Sequence, residues 1–340
     1  MQVTILHPSA RPGQLTLIAA ICVTLSLPFT PLALSAQPSW FPTGGPGGGV
    51  VSSLVLDGKE QIFASTLERG VFLSRNRGNS WVSVSATLPV REIRAMVVRD
   101  EDLYVGTGTG HVFKSADREE DWSLIAHFPF EIHALAVDSR ARIFAGTGGG
   151  GVFRIENDDT WAETGLKEVS VQCLASGSDG EIYAGTNLGL FVTADGGDSW
   201  QSIELPDIYV FSLAVDRKGT LFAGTWAGRV YRSRPGEGAW TVMNVGPENS
   251  VIWNLSIDEK GRVLAAATGG GVFRSTDDGI HWEPMNNGLT DLSVRSLTVS
   301  PAGVVYAGTA SGTVFRTSPP TPSVSSHKPA SGLSQFFGIR

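Results

Sequence analysis

Residues 294–317 read VRSLTVSPAGVVYAGTASGTVFRT. A first segment with alternating apolar residues ends in a Pro/Gly turn. A second strand, VVYAGT, follows, then a short Gly-containing turn and a third strand, TVFRT. Strands of five to seven residues separated by turn signals every few positions are the pattern of an all-β chain.

The same unit recurs along the chain. Trp40, Trp81, Trp122, Trp161, Trp200, Trp240 and Trp282 are spaced 39–42 residues apart. A threonine keeps step at Thr66, Thr107, Thr147, Thr186, Thr225, Thr268 and Thr309. So does a large aliphatic residue at Leu54, Met96, Leu135, Leu174, Leu213, Leu255 and Leu297. With the tryptophan segment as a fourth strand, four short strands per ~40 residues are the signature of a propeller blade. The last unit has no tryptophan after it, and Trp40 has no unit before it. Joining the two gives a single seven-bladed β-propeller over residues 37–317, with four antiparallel strands per blade. The strand around Trp40 closes the last blade and removes the open sheet edges.

Composition agrees with a turn-rich fold: 41 glycines are spread over 340 residues. The net charge of −7, with no basic cluster, argues against nucleic acid and anionic lipid as partners. Residues 1–36 read as a secretory signal. Arg11 precedes the apolar run Leu15–Leu27, Pro28 and Pro31 break it, and cleavage is expected after Ser35 or Ala36. The run is too short to cross a membrane as a helix, so no stable span is expected after cleavage; an uncleaved anchor is the alternative. Cys22 leaves with the signal and Cys173 remains alone, so no disulfide framework is available. Residues 318–340, rich in proline and serine, read as a disordered tail.

The turn before each tryptophan carries a family pattern. Thr193-Ala194-Asp195-Gly196-Gly197-Asp198-Ser199-Trp200 fits Ser/Thr-x-Asp-x-Gly-x-Thr/Ser-Trp throughout. The stretch from Ser275 to Trp282 departs only at His281, and that from Ser74 to Trp81 has Asn76 in place of Asp. The copies ending at Trp122, Trp161 and Trp240 are degenerate. Over nearly its whole mature length the chain resembles Asp-box (BNR) propellers, above all the compact seven-bladed kind of photosystem II assembly factors and periplasmic sensor-type proteins. Sialidases, xyloglucan-degrading hydrolases and sortilin-type receptors share the box in other architectures.

A residue that recurs in every blade serves the blade. Asp57, Asp138, Asp179, Asp216 and Asp258 fall in or beside one turn, where a carboxylate bonds backbone amides. Asp195, Asp277 and Asn76 have the same structural role in the boxes. Tyr104, Tyr183 and Tyr306 share a strand position with Phe63, Phe144 and Phe222 and are assigned to the core. Cys173 stands in a column of small residues and reads as a buried spacer. The run Gly146–Gly151 joins two strands and lacks the helix N-terminus that would hold a phosphate, so no nucleotide or other cofactor is expected.

One column breaks the repeat: Ser52, Arg94, His133, Gln172, Phe211, Trp253 and Arg295. A uniform Val or Ile precedes it in every blade. It lies near the start of the innermost strand, on the face opposite the boxes, and is expected to form a ligand-binding ring at the channel mouth. Arg94, His133, Gln172, Phe211, Trp253 and Arg295 would suit a polar or anionic ligand with an apolar part. Loops on that face add His111, Trp226 and Arg229 as secondary candidates, with Glu68, Arg69 and Tyr209 beside them. The spacing of His111, His127 and His133 matches no metal motif, and no metal site is expected.

A sialidase resemblance would imply an arginine triad, a tyrosine nucleophile paired with a glutamate and an N-terminal Arg-Ile-Pro element, and most tyrosines are already assigned to the core. Arg154-Ile155 is followed by Glu156 rather than proline. The xyloglucan-degrading enzymes clamp substrate between two propellers, and one is present. No catalytic residue is assigned. The sequence leans to a non-catalytic periplasmic or extracellular binding module for a protein or carbohydrate partner. The alternative is a glycosidase-like hydrolase, which would demand two carboxylates on the ring face.

Overall fold

The structure, a computed structural model, describes residues 38–318 except 118–120, 158–159, 208 and 235–237. The expected signal and nearly all of the expected tail lie outside the described residues. Ser318 is described, and its amide donates to the carbonyl of Ser39.

Seven four-stranded antiparallel sheets form a closed ring, and no helix occurs among the described residues. Six blades use consecutive strands. The seventh combines Val294–Val299, Val305–Thr309 and Thr313–Thr317 with Trp40–Pro46 from the other end of the chain. The pairing Trp40↔Thr317 and Pro42↔Phe315 makes the expected closure. The innermost strands pack in cyclic order, with Val51–Leu56 against both Ile93–Arg99 and Val294–Val299.

The repeating residues are what one blade uses to hold the next. The first aliphatic of each innermost strand is fully buried, and in five of the seven blades it fills the space left by a glycine of the preceding blade; Ser65 and Ala266 stand at the other two seams. A Cβ on Gly106 would lie 2.4 Å from Ile132 Cγ2, and one on Gly308 would lie 2.4 Å from Val51 Cγ1. Two uniform columns are thus one contact. Five of the repeat tryptophans staple neighbouring blades through their indole N–H groups, whereas Trp282 donates to the Gly279 carbonyl of its own turn. Trp122 donates to the Val84 carbonyl, Trp240 to that of Glu204 and Trp40 to that of Met285. Trp81 and Trp200 reach Thr43 and Thr164 hydroxyls instead. A buried indole with its N–H satisfied combines a large apolar area with a directional bond.

Three column assignments need correction. Ala267, not Thr268, pairs with Ile252 as Thr66 pairs with Val51. Thr268 falls one residue late, and its hydroxyl instead accepts the indole N–H of Trp253 at 2.6 Å. Asp57, Asp138, Asp216 and Asp258 each accept two backbone amides in their turn. Gly177 fills that place in blade four, and Asp179 lies two residues beyond it. Tyr183 is half-buried, whereas Tyr104 and Tyr306 are in the core.

Candidate functional site

The variable column is a row of β-bulges. In blade two Ile93 pairs with Thr107 and Ala95 with Gly106, so Arg94 has no partner across the ladder. The same register shift occurs at Ser52, His133, Gln172, Phe211, Trp253 and Arg295. A bulge leaves one residue unpaired and re-aims its side chain. Seven bulges at the same height of seven inner strands deliver seven side chains to the channel axis. All seven line one open cavity of about 420 Å³.

The ring is not uniform around its circumference. On blades two and three, Arg94 Nη2 lies 2.7 Å from Glu92 and 3.4 Å from Glu131, and Glu131 also meets His133 Nε2 at 3.2 Å. His133 Nδ1 faces the Val171 carbonyl of the next blade. Gln172 donates to Ser170. On blades five and six the ring is aromatic. Phe211 stands edge-on to Trp253 at 5.4 Å, and Tyr209 and Trp226 flank Phe211 at 6.3 and 6.4 Å. Tyr209 and Trp226 are about half exposed. Blade seven contributes Arg295, whose guanidinium stacks 4.1 Å from the Trp253 ring centre.

Arg295 has no carboxylate at ion-pair distance among the described residues, and burial holds its pKa below the usual arginine value. Its Nε, the Nε of Arg94 and the Oδ1 of Asn254 are buried without a hydrogen-bond partner among the described residues. Buried polar atoms are nearly always satisfied, so three unsatisfied ones around one cavity mark places for a ligand or solvent.

The sequence singled out the ring residues but not Glu92 and Glu131. The signal was there: they stand two residues before Arg94 and His133, and side chains two apart share a strand face. Cys173 lines the same cavity half-buried rather than as a fully buried spacer. Its thiol is directed at the Val210 carbonyl, and burial pushes its pKa up.

The secondary candidates divide. Trp226 extends the aromatic arc. Arg229 is held by Asp207 at 3.4 Å. His111 lies apart, on an outer strand of blade two, stacked on His127 with ring centres 4.3 Å apart. Among the described residues no three His, Cys, Asp or Glu side chains group as metal ligands. Asn76, Asp195 and Asp277 sit on the opposite face. Asp195 accepts from the Ser199 amide at 3.0 Å and Asp277 from the His281 amide at 2.9 Å.

No protein-family model and no curated protein sequence matches the chain. Solved structures share the fold. The extracellular domain of BT4673 from B. thetaiotaomicron superposes with a TM-score of 0.68 at 20% identity, over 83% of this chain and 40% of that one. This chain therefore spans well under half of that domain's length. YCF48 bound to D1 peptide gives 0.68 at 13% identity, over 83% of this chain and 99% of that one. The GH74 xyloglucanase from Xanthomonas campestris gives 0.68 at 17% identity, over 81% and 53%.

Proposed function

We propose that the protein is a non-catalytic binding module of the extracellular or periplasmic space, related to Asp-box propellers, that captures a segment of a protein partner at the channel mouth. The observation that carries this reading is the convergence of seven bulged side chains on one cavity that keeps unsatisfied donors and exposed aromatics. A half-exposed aromatic arc beside an unpaired arginine is the composition of a protein-binding hot spot. The apolar run Leu15–Leu27 favours export. The likeness in fold to an extracellular domain and to a propeller holding a peptide is consistent with both points.

The test is recovery of partners from the native envelope. Wild-type protein should retain a partner that the Trp226→Ala/Arg295→Ala variant loses, while Asn76→Ala on the opposite face keeps it. Equal recovery by both variants overturns the assignment to the mouth, and enrichment of glycan rather than protein would replace the partner class.

A second reading has one observation in its favour. Glu92 and Glu131 bracket a single guanidinium nitrogen, which places two carboxylates within the short range that glycoside hydrolysis uses. Arg94 stands between them, where a glycosidic oxygen would have to lie, and for that reason we rank hydrolysis second. Turnover of xyloglucan oligosaccharides that disappears in Glu92→Gln and Glu131→Gln would reverse the ranking.

A further inference from the structure

The face opposite the channel mouth carries a second cavity, about 510 Å³, in the seam between blades seven and one. Phe41, Arg77, Val304, Tyr306 and Arg316 are among its walls. Tyr306 is only 1% exposed, yet its hydroxyl has no hydrogen-bond partner among the described residues. In blade two the corresponding phenol is bonded: Tyr104 OH meets both Arg99 and Asp102. Where blade two places Asp102 two residues before its tyrosine, blade seven places Val304, so the phenol of Tyr306 loses its acceptor and opens onto the cavity. Buried tyrosine hydroxyls normally find a partner.

The surroundings are cationic and partly apolar. Arg316 has no carboxylate at ion-pair distance among the described residues; the exposed Arg77 is shared with the half-buried Glu60 at 3.4 Å. Burial raises the pKa of Tyr306, the charges of Arg316 and Arg77 pull it back, and Glu60 adds a smaller upward push, so both guanidinium groups and one carboxylate act at the phenol. Phe41 is 51% exposed at the rim.

We propose that this seam is a second ligand site, independent of the channel mouth, for a small organic carboxylate. The carboxylate accepts from the Tyr306 hydroxyl between Arg77 and Arg316, and the apolar body rests on Phe41 and Val304. The cavity volume lies within the range typical of small-molecule sites.

The full-length protein is titrated with 4-(trifluoromethyl)benzoate and followed by fluorine NMR. The benzoate should bind and the isosteric 4-(trifluoromethyl)benzamide should not. Tyr306→Phe and Arg77→Ala should each weaken binding by roughly three- to tenfold, the effect of one charge-assisted hydrogen bond. Tyr306→Phe should melt like wild type, since the hydroxyl it removes bonds nothing in the protein. Arg295→Ala should leave binding unchanged. The proposal is overturned if the benzamide binds equally well, if Tyr306→Phe binds undiminished, or if Arg295→Ala abolishes binding, which would put the probe in the channel.

Discussion

The guanidinium of Arg316 in blade seven donates to the backbone carbonyl of Arg77 in blade one at 2.6 Å, across 239 residues of sequence. The same bond joins Arg154 to the Gly196 carbonyl and Arg232 to that of Asp278. All three acceptors hold the fourth position of a box turn and have positive φ: 58° at Arg77, 87° at Gly196 and 56° at Asp278. The left-handed residue turns its carbonyl out of the hairpin toward the preceding blade. The box is therefore an inter-blade device as well as a turn. Arg232→Ala, at a buried position, should cost about 1–3 kcal/mol in denaturant unfolding, because a carbonyl loses its charged donor.

Trp40 closes the ring. It is 2% exposed, pairs with Thr317 and donates to Met285. Trp40→Ala should cost about 3–5 kcal/mol, the usual range for a buried tryptophan. Deleting residues 37–49 should expose an edge strand and produce aggregates by size-exclusion chromatography. A deletion variant that stays monomeric and melts like wild type would refute the closure.

Within the boxes the buried partner is the leading hydroxyl rather than the acid. Thr193 and Ser275 are nearly inaccessible and accept from the buried amides of Gly197 and Gly279 at 2.9 and 2.8 Å. Asp195 is exposed. Thr193→Ala and Ser275→Ala should each cost about 1–3 kcal/mol by thermal or chemical denaturation. Asp195→Ala should cost less than Thr193→Ala, which corrects the emphasis that the sequence pattern places on the acid. The His281 amide and ring hold Asp277 down to about 2, so its contribution is present above about pH 4 and lost as pH falls through 2.

His111 should titrate below the ordinary imidazole value of about 6.5, because burial and the adjacent His127 both disfavour its charged form. The folded chain then binds fewer protons at this site than the unfolded one. Its stabilising contribution is complete above about pH 6.5 and is lost as pH falls through the lower folded-state value. An NMR titration should show the depressed midpoint, and His127→Ala should move it upward. An unshifted midpoint in the wild type contradicts the pairing.

Arg295 carries the ring prediction. Its guanidinium rests on Trp253 and bonds no protein acceptor through Nε. Arg295→Ala should therefore change stability by no more than about 1 kcal/mol, the scale of one cation–π contact. It should also alter Trp253 emission. A severe folding defect would mean that the column packs the channel rather than lining it.

The periodic residues alone determined the blade, the number of blades and the closure. Packing one blade on the next imposes nearly the same demand at every seam: a small residue to make room (glycine at five of the seven), a Val or Ile to fill the space, and at five seams a tryptophan that staples the outer strands. A repeated demand is written as a period. The variable column was also legible, because a bulged position escapes ladder pairing and so escapes the period. Its partition was not. That Arg94 is bound by Glu92 and Glu131, that Arg295 is unpaired, and that Tyr306 lacks the partners of Tyr104 depends on which side chains from different blades meet at angström distances. One-letter spacing carries no record of such meetings. Trp253 shows the limit most clearly: a one-residue offset at Thr268, which sequence spacing absorbs unnoticed, places the hydroxyl that fixes this indole beneath Arg295.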